Sequence, residues 1–267
     1  MIEFNYKALP WNIVFAVGGL QTLPNELDKL GKRRALILTT PNQAEQGREL
    51  AKLLGDRAVG LFDQAAMHVP AATLEAATDF CHSLAADCTV ALGGGSTIGL
   101  GKALAVKEGL DNIVIPTSYA GSEMTDIWAV TEAERKVTAR NYAAVPTLTL
   151  YDPQLTLTLP PEFSAASGLN AMAQAVVNVA TDKPNPIISS LALDGIRALA
   201  ASLPIIMKDP QNIEARSQAL YGASMAGGAL GTGITSLHHR LCHTFGGTFN
   251  TPHAETHAIL LAHSVAY

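Results

Sequence analysis

The chain has 267 residues, of which 48% are hydrophobic and 15% are charged, so it can bury a sizeable core and extended disorder is excluded. A net charge of −5, with no block of basic residues, argues against a nucleic-acid partner. The chain shows no signal-peptide pattern, no apolar run approaching the roughly 18 residues that cross a bilayer, and three cysteines without metal-type or redox spacing. We therefore expect a cytoplasmic protein with no membrane partner.

Short apolar runs alternate with helical segments through the first half of the chain. The apolar runs predict strands at residues 13–17, 35–39, 58–62, 89–92, 113–115 and 148–151. The segments between them predict helices from Pro41 to about residue 54, at 73–86 and at 96–108. Continuous apolar strands separated by helices indicate a parallel sheet that is covered on both faces.

Polar residues follow the second predicted strand. Thr40 and Asn42 stand where many NAD-binding proteins place an acidic residue on the ribose 2′-hydroxyl. No carboxylate is present there to repel a 2′-phosphate, so we expect these residues to accept either NADH or NADPH.

A glycine-rich turn follows the fourth predicted strand, in the sequence VALGGGSTIGLGKA of residues 90–103. Gly94, Gly95 and Ser96 are candidates for binding a pyrophosphate, because glycines allow close backbone approach and a helix N-terminus offers free N–H groups. The segment matches neither the Walker A pattern nor the GxGxxG spacing. A tight β–α turn that binds nothing is therefore the alternative.

A second polar loop follows the strand at residues 113–115. Its hydroxyl residues suit contacts with a phosphate or with the nicotinamide amide, and they are Thr117, Ser118, Tyr119 and Ser122. Lys136, further on, is a candidate cation for the cofactor or the substrate. The alternatives are a polar loop that only caps the next segment and a lysine that is only solvated.

The pattern changes near Asp152 and Pro153, after which only helical stretches are found, at residues 165–180, 186–203 and 213–228. We predict an α/β domain over residues 1–155, which binds the dinucleotide, and a helical catalytic domain over residues 156–267. The cleft between two such domains is the expected ligand site. The sequence ends inside an apolar helical run without a stop signal, so we expect the natural chain to continue beyond it.

Six of the eight histidines lie within residues 238–263. His239 and His243 are four residues apart, as are His253 and His257, so each pair shares one face of a helix. The glycines and the proline between the pairs predict a bend that can direct several imidazoles into one cavity. Proton transfer, metal binding and anion recognition all suit such a cluster near neutral pH, whereas isolated core or surface histidines would not occur six together.

Four segments together resemble the iron-containing alcohol dehydrogenase family: GGGSTIGLGKA, IPTSYAGSE, LYDPQLTLTLPPEFSAASGLNA and LHHRLCH. They lie in the family's order along the whole chain, and LHHRLCH and SGLNA are most similar to its maleylacetate reductase branch. The resemblance implies a Rossmann-like N-terminal domain, a helical C-terminal domain and usually a homodimer. It also implies further helices beyond the last residue.

Several positions depart from the family's pattern. Metal-dependent relatives bind iron or zinc with an aspartate, a histidine four residues later, and two later histidines. Here the first two positions are Asn170 and Gln174, while the later two remain His239 and His253. Neutral amides are weak ligands for these ions, so we expect no catalytic metal. Gly99 stands where relatives often have an aspartate.

The maleylacetate reductase branch implies a small dianionic substrate whose activated C=C bond is reduced to give 3-oxoadipate. His243 matches the position beside the nicotinamide in relatives and is the first choice as proton donor, with His239 and His253 as further catalytic candidates. The residues expected to bind the substrate are Asn170, Gln174, His238 and Arg240. Two alternatives stay open: a metal-dependent alcohol or polyol dehydrogenase, and a nucleotide-binding module that has no activity.

Overall fold

A computed structural model describes residues 3–133, 135–181, 184–234, 238, 241–242, 244–245, 249, 251 and 253–266. By its internal contacts the chain divides into two compact units. The sheet unit comprises Pro10–Thr117 and Asp126–Asp152, and the helical unit comprises Met1–Leu9, Ser118–Thr125 and Pro153–Tyr267. The loop at residues 118–125 thus groups with the helices, although the chain on either side of it belongs to the sheet unit. The domain bounds 1–155 and 156–267 stay a prediction.

The predicted parallel sheet is confirmed. Its six strands have the order β1-β8-β5-β4-β2-β3, and every neighbouring pair is parallel. The strands are β1 (Ile13–Phe15), β2 (Ala35–Leu38), β3 (Ala58–Phe62), β4 (Cys88–Gly93), β5 (Asp111–Pro116) and β8 (Leu148–Tyr151). All residues of β2, β4 and β8 are buried, as their continuous apolar sequences predict.

The sheet unit also contains four helices and an antiparallel hairpin that is separate from the main sheet. The helices are α1 (Leu23–Lys29), α2 (Ala44–Leu54), α3 (Ala71–Ser83) and α4 (Gly95–Glu108), and the hairpin strands are β6 (Ile127–Glu132) and β7 (Arg135–Arg140). Helix α4 is buried over most of its length, and Ile98, Leu100 and Leu104 are completely inaccessible. This burial fixes the position of the glycine turn that begins α4.

The helical unit contains α5 (Pro161–Val179), α6 (Pro186–Lys208), α7 (Ile213–Thr232) and α8 (His253–Ala266). Helix α6 packs against both α5 and α7, and α8 packs against α5. The predicted end of α6 at residue 203 was wrong, because the helix continues through Pro204 to Lys208. Proline removes one helical hydrogen bond, but the continued helix buries Ile206 completely, which offsets that loss.

Helix α6 has the length and composition of a membrane-spanning segment, with 23 residues and a most apolar window whose mean hydropathy is 1.5. Asp194 and Arg197 interrupt the apolar sequence of this helix, so the expectation that no uninterrupted apolar run approaches 18 residues is not contradicted. Within the described residues it is the single such helix, and 33% of that window is buried inside the protein. Helices of soluble proteins meet the same criterion, so α6 by itself is weak evidence for a membrane.

A buried arginine joins several parts of the helical unit. Arg216 on α7 is completely inaccessible to solvent. Its Nε donates to the carbonyl of Pro210 (3.0 Å) and its Nη2 to the carbonyl of Leu159 (2.9 Å). Its Nη1 donates to the hydroxyls of Ser164 (2.7 Å) and Tyr119 (3.2 Å). Among the described residues no carboxylate pairs with this guanidinium, so neutral oxygens alone compensate for its burial.

Replacing Arg216 with methionine should lower the free energy of unfolding by about 2–4 kcal/mol, because buried carbonyl and hydroxyl groups lose their donor. Arg197 is exposed on α6 and provides the control. The Arg197→Met substitution should change stability by less than about 0.5 kcal/mol. Urea unfolding followed by circular dichroism measures both variants, and equal stabilities would contradict the anchoring role of Arg216.

Candidate functional site

The strand order places a reversal between β2 and β4. From β2 the chain adds β3 on one side, then returns to add β4 and β5 on the other. In open parallel sheets, ligands bind beyond the carboxyl ends of the strands at such a reversal. The residues that follow β2, β4 and β5 are therefore the candidates for cofactor binding in the sheet unit.

The glycine turn lies at this reversal. Strand β4 ends at Gly93, whose φ of +157° favours glycine. A Cβ atom on Gly93 would also lie 2.5 Å from Thr97 Oγ1 and 2.9 Å from Gln43 Oε1, too close for any side chain. Gly94 is extended and no side chain caps the first turn of α4. The N–H groups of that turn are thus available to an anion, as predicted for Gly95 and Ser96.

Gln43 connects the ends of the strands, and the sequence analysis did not identify it. Its Nε2 donates to Thr117 Oγ1 (2.9 Å) and to Gln46 Oε1 (3.1 Å), and its Oε1 accepts from Thr40 Oγ1 (3.4 Å). The backbone N–H of Thr117 donates to the carbonyl of Gly93 (3.0 Å). The predicted residues after β2, β4 and β5 therefore lie together, and an amide side chain joins them.

Thr97 is a second candidate residue that the sequence analysis did not identify. Its side chain is completely buried on the first turn of α4, and its Oγ1 has no hydrogen-bond partner among the described residues. Thr39, at the end of β2, has the same property. Buried hydroxyls without partners are unfavourable, so two of them at one sheet edge indicate a place where a polar ligand completes the structure.

The candidate cofactor residues do not all lie in one unit. Those at the sheet edge are Thr40, Asn42, Gly94, Gly95, Ser96 and Thr117, of which Asn42 and Gly95 are exposed. Those in the helical unit are Ser118, Tyr119 and Ser122. Lys136 lies on β7, a strand of the separate hairpin whose residues are all exposed. All of these assignments remain predictions.

The departure at Gly99 has a local explanation. A Cβ atom on Gly99 would lie 2.9 Å from Val69 Cγ2, so the valine occupies the space that an aspartate side chain would need. Val69 is 5% exposed and has a φ of +49°, which is unfavourable for a β-branched residue. Glycine is thus the residue that fits at position 99, because Val69 packs directly against it.

Tyr119 is held by contacts within the helical unit. Its backbone N–H donates to Ser167 Oγ (3.1 Å), and its hydroxyl is shared between Thr156 Oγ1 (3.5 Å) and the Arg216 guanidinium. The side chain is completely buried. A buried phenol needs such partners, so these contacts favour a role in fixing the loop over the predicted direct contact with a cofactor.

Asn170 and Gln174 lie one turn apart on α5, and each is only 6% exposed. Gln174 Nε2 donates to the carbonyl of Ala120 (3.4 Å), and the fixed loop continues into Gly121. Among the described residues, Asn170 Oδ1 and Gln174 Oε1 have no hydrogen-bond partner. The face of α5 that carries the predicted substrate residues therefore presents two buried, unpaired amide oxygens.

These amides fit a divalent metal poorly. They supply no negative charge, whereas iron and zinc sites in proteins use carboxylate, imidazole or thiolate ligands. The other family positions are His239, outside the described residues, and His253, which begins α8 with its side chain outside them. The side chains at this site are thus better suited to binding an organic ligand by hydrogen bonds than to binding a divalent metal.

The histidine segment is described in part. The predicted residues Arg240 and His243 also lie outside the described residues. His238, predicted to bind substrate, is 3% exposed, and its Nε2 lies 3.1 Å from His257 Nδ1 and 3.5 Å from Cys242 Sγ. Burial lowers the pKa of His238 and raises the pKa of Cys242 to about 11. His238 therefore belongs to a buried cluster that the sequence analysis did not identify.

Comparisons with known proteins agree along the whole chain. The family model described as iron-containing alcohol dehydrogenase matches residues 10–153, and the model of the C-terminal part of that family matches residues 164–267. The maleylacetate reductase of Sphingobium indicum is 51% identical over 266 residues, which cover 100% of this chain and 75% of that protein.

Two further relatives have the same name. The maleylacetate reductase of Burkholderia cepacia is 47% identical and is matched over 100% of this chain and 76% of its own length. The crystal structure of maleylacetate reductase from Agrobacterium tumefaciens superposes with a TM-score of 0.97 at 47% identity, covering 100% of this chain and 76% of that one.

Replacing Thr97 with valine separates a ligand role from a structural role. Because the Thr97 hydroxyl has no partner among the described residues, valine should leave stability unchanged or slightly higher. If the hydroxyl completes a dinucleotide site, the Kd for NADH should rise about 10-fold, the equivalent of one hydrogen bond. Fluorescence titration with NADH measures the affinity, and an unchanged Kd would remove Thr97 from the site.

Thr89 provides the control for this measurement. It is also completely buried, but it lies near the start of β4 and donates to Asn112 Oδ1 (3.0 Å). The Thr89→Val substitution should lower stability by about 1 kcal/mol and leave the Kd for NADH unchanged. A loss of affinity in both variants would point to a general disturbance of the sheet.

Proposed function

The chain belongs to the iron-containing alcohol dehydrogenase family, and we propose that it reduces the activated C=C bond of maleylacetate with NADH or NADPH, giving 3-oxoadipate. The observation that carries this proposal is the buried pair Asn170 and Gln174 on α5, at the positions where metal-dependent members hold an aspartate and a histidine. The relatives with 42–51% identity that bear the name maleylacetate reductase support the substrate.

The reduction depends on hydrogen-bond donors and a proton-donating group more than on a metal ion. Hydride adds to the carbon β to the ketone, and the electron pair of the C=C bond moves towards the ketone oxygen as an enolate. A proton from His243 then completes the α carbon, and the oxidised cofactor leaves as NAD⁺ or NADP⁺. Hydrogen-bond donors beside the ketone oxygen lower the barrier by stabilising the enolate.

The neutral amide pair suits a dianionic substrate. An aspartate at residue 170 would repel the substrate carboxylates, whereas the amides of Asn170 and Gln174 carry no charge. In this proposal the carboxylates accept from the amide N–H groups of Asn170 and from the Gln174 N–H that does not donate to Ala120. His239, His253 and Arg240 complete the proposed set of groups that face the substrate. His238 is left out of this set because it is buried against His257.

Cofactor binding is proposed at the sheet edge of the sheet unit. The open first turn of α4 suits the pyrophosphate, and the buried hydroxyls of Thr39 and Thr97, which have no partner among the described residues, lie beside it. No carboxylate follows β2, so both nicotinamide dinucleotides are accepted in this proposal. A homodimer and a cytoplasmic location are proposed from the family resemblance.

The test of this function is NADH oxidation with maleylacetate, using protein that has been dialysed against a strong chelator. We expect rapid turnover, because none of the proposed steps uses a metal. Turnover with a simple alcohol and NAD⁺ only after iron or zinc is restored, and none with maleylacetate, would instead support the metal-dependent alcohol dehydrogenase.

The proposed proton donor gives a prediction of its own. The His243→Ala substitution should lower kcat about 10²- to 10⁴-fold, the usual contribution of general acid catalysis. His263, which is exposed on α8, provides the control, and His263→Ala should leave kcat unchanged. Steady-state assays with saturating NADH measure both variants, and near-normal turnover of His243→Ala would assign the proton to another group.

A charge at residue 170 tests the amide pair. The Asn170→Asp substitution should raise the KM for maleylacetate about 10-fold or more at neutral pH, because the new carboxylate repels the dianion. The KM should recover as the pH falls, since protonation of the aspartate removes the repulsion.

Asn212 provides the matched asparagine. It caps α7, with its Oδ1 accepting from the backbone N–H of Ala215 (3.0 Å), and aspartate can accept the same bond, although the bond from Nδ2 to Asp209 Oδ2 (3.4 Å) is lost. The Asn212→Asp substitution should therefore leave the KM unchanged. Equal KM values for both variants at all pH values would place Asn170 away from the substrate.

A further inference from the structure

The buried cluster formed by His238, Cys242 and His257 has no role in the proposed reaction. Its three side chains are 3%, 2% and 0% exposed. One ligand atom from each, an imidazole nitrogen or the thiol sulfur, lies within 4.8 Å of both others. We propose that these three residues bind a Zn²⁺ ion, at a site distinct from the metal positions of the family.

The distances in the cluster are close to those of a tetrahedral zinc site. With Zn–N bonds of about 2.0–2.1 Å and a Zn–S bond of about 2.3 Å, a tetrahedron separates two nitrogens by about 3.3 Å and nitrogen from sulfur by about 3.5 Å. The His238 Nε2 atom lies 3.1 Å from His257 Nδ1 and 3.5 Å from Cys242 Sγ. Two of the three separations therefore match a zinc coordination sphere, and the third, between Cys242 Sγ and the His257 nitrogen, is no more than 4.8 Å.

The donor chemistry also suits zinc. Imidazole and thiolate are preferred ligands of this ion, unlike the neutral amides of Asn170 and Gln174. Burial raises the pKa of Cys242 to about 11, so the free group is a thiol at neutral pH. Zinc binding displaces that proton to the buffer and forms the Zn–S bond, without any change in oxidation state.

The cluster uses none of the side chains proposed for catalysis. His238 and Cys242 are four residues apart in the sequence, a spacing that places two side chains on one face of a helix, and the catalytic candidates are His239, His243 and His253. The third ligand, His257, lies one turn beyond the first residue of α8. An ion here would therefore tie the segment around residue 242 to α8 without occupying the side chains proposed for catalysis.

An ion in this place would have a structural role. It would join two parts of the chain that carry proposed catalytic histidines, and structural zinc sites contribute directly to folding stability. The alternative is a metal-free cluster in which one neutral imidazole donates a hydrogen bond to the other. The two cases differ in metal content and in the spectrum of a substituted ion.

Cobalt substitution tests the site on the purified chain, independently of any turnover. Replacing zinc with Co²⁺ should give about one ion per chain, with a sulfur-to-cobalt charge-transfer band in the near ultraviolet and intense visible bands of a tetrahedral ion. The Cys242→Ala substitution should abolish the charge-transfer band. Because the readout is metal content and absorbance, failure of maleylacetate reduction would leave this result unaffected.

Two controls make the assignment specific. Cys81 is a buried cysteine of the sheet unit, and Cys81→Ala should retain the band. The His257→Gln variant keeps Cys242 and should lose most of the bound cobalt. It provides a second test in case the Cys242→Ala variant fails to fold. Absence of the band in the unaltered protein would overturn the proposal, as would a band that persists in Cys242→Ala.

Thermal unfolding gives a second readout. Dialysis against a strong chelator should lower the Tm of the unaltered protein, and zinc should restore it. The Cys242→Ser variant should have the lower Tm already and should not respond to zinc. A bound ion that survives in Cys242→Ser but is lost in His239→Ala would assign the metal to the family's positions and overturn the proposal.

Discussion

The burial of the Arg216 guanidinium is the constraint on which the helical unit depends. A charge without a carboxylate partner is tolerated inside a protein when its donors find oxygens, and four of the five N–H groups of Arg216 do so. One of them is the hydroxyl of Tyr119, which fixes the loop at residues 118–125. Ala120 of that loop accepts from Gln174, so the arginine also positions the proposed substrate face.

The fold could be predicted where burial is continuous. The strands β2, β4 and β8 are apolar except for Thr89 and Thr149 because both faces are covered, and glycine or proline marks their ends. The hairpin of β6 and β7 was missed as a structural element, because the residues of β7 are exposed and its sequence RKVTAR lacks the alternation that identifies a half-buried strand. The predicted helix also ended before Pro204, although the observed helix continues through it. The free-energy cost of that proline is offset by the burial of Ile206 in the folded protein.

Parts of the candidate site were accessible from the sequence, and parts were not. The glycine turn and the polar residues after β2 and β5 are local features, and the parallel order of the strands brings them together. Gln43 contacts Thr117, which is 74 positions away, so nothing in its own neighbourhood indicates a role. Thr97 is indicated as a candidate only because its hydroxyl has no hydrogen-bond partner among the described residues. Whether a hydroxyl finds a partner depends on the folded structure and is not visible in the sequence.

The histidine segment shows why spacing alone gives an ambiguous reading of function. His238 and His257 lie in a buried cluster with Cys242, so a count of the histidines in this segment overstates any single site. The chain separates two requirements that conflict: the face of α5 stays neutral, which suits a dianion, while the thiolate and imidazole ligands lie in a buried cluster elsewhere. An anionic metal ligand at residue 170 would bring back the charge that the substrate must avoid. Under the two proposals, this separation would let a member of a family named for iron reduce an acidic substrate through hydrogen bonds while a zinc ion elsewhere contributes only to stability.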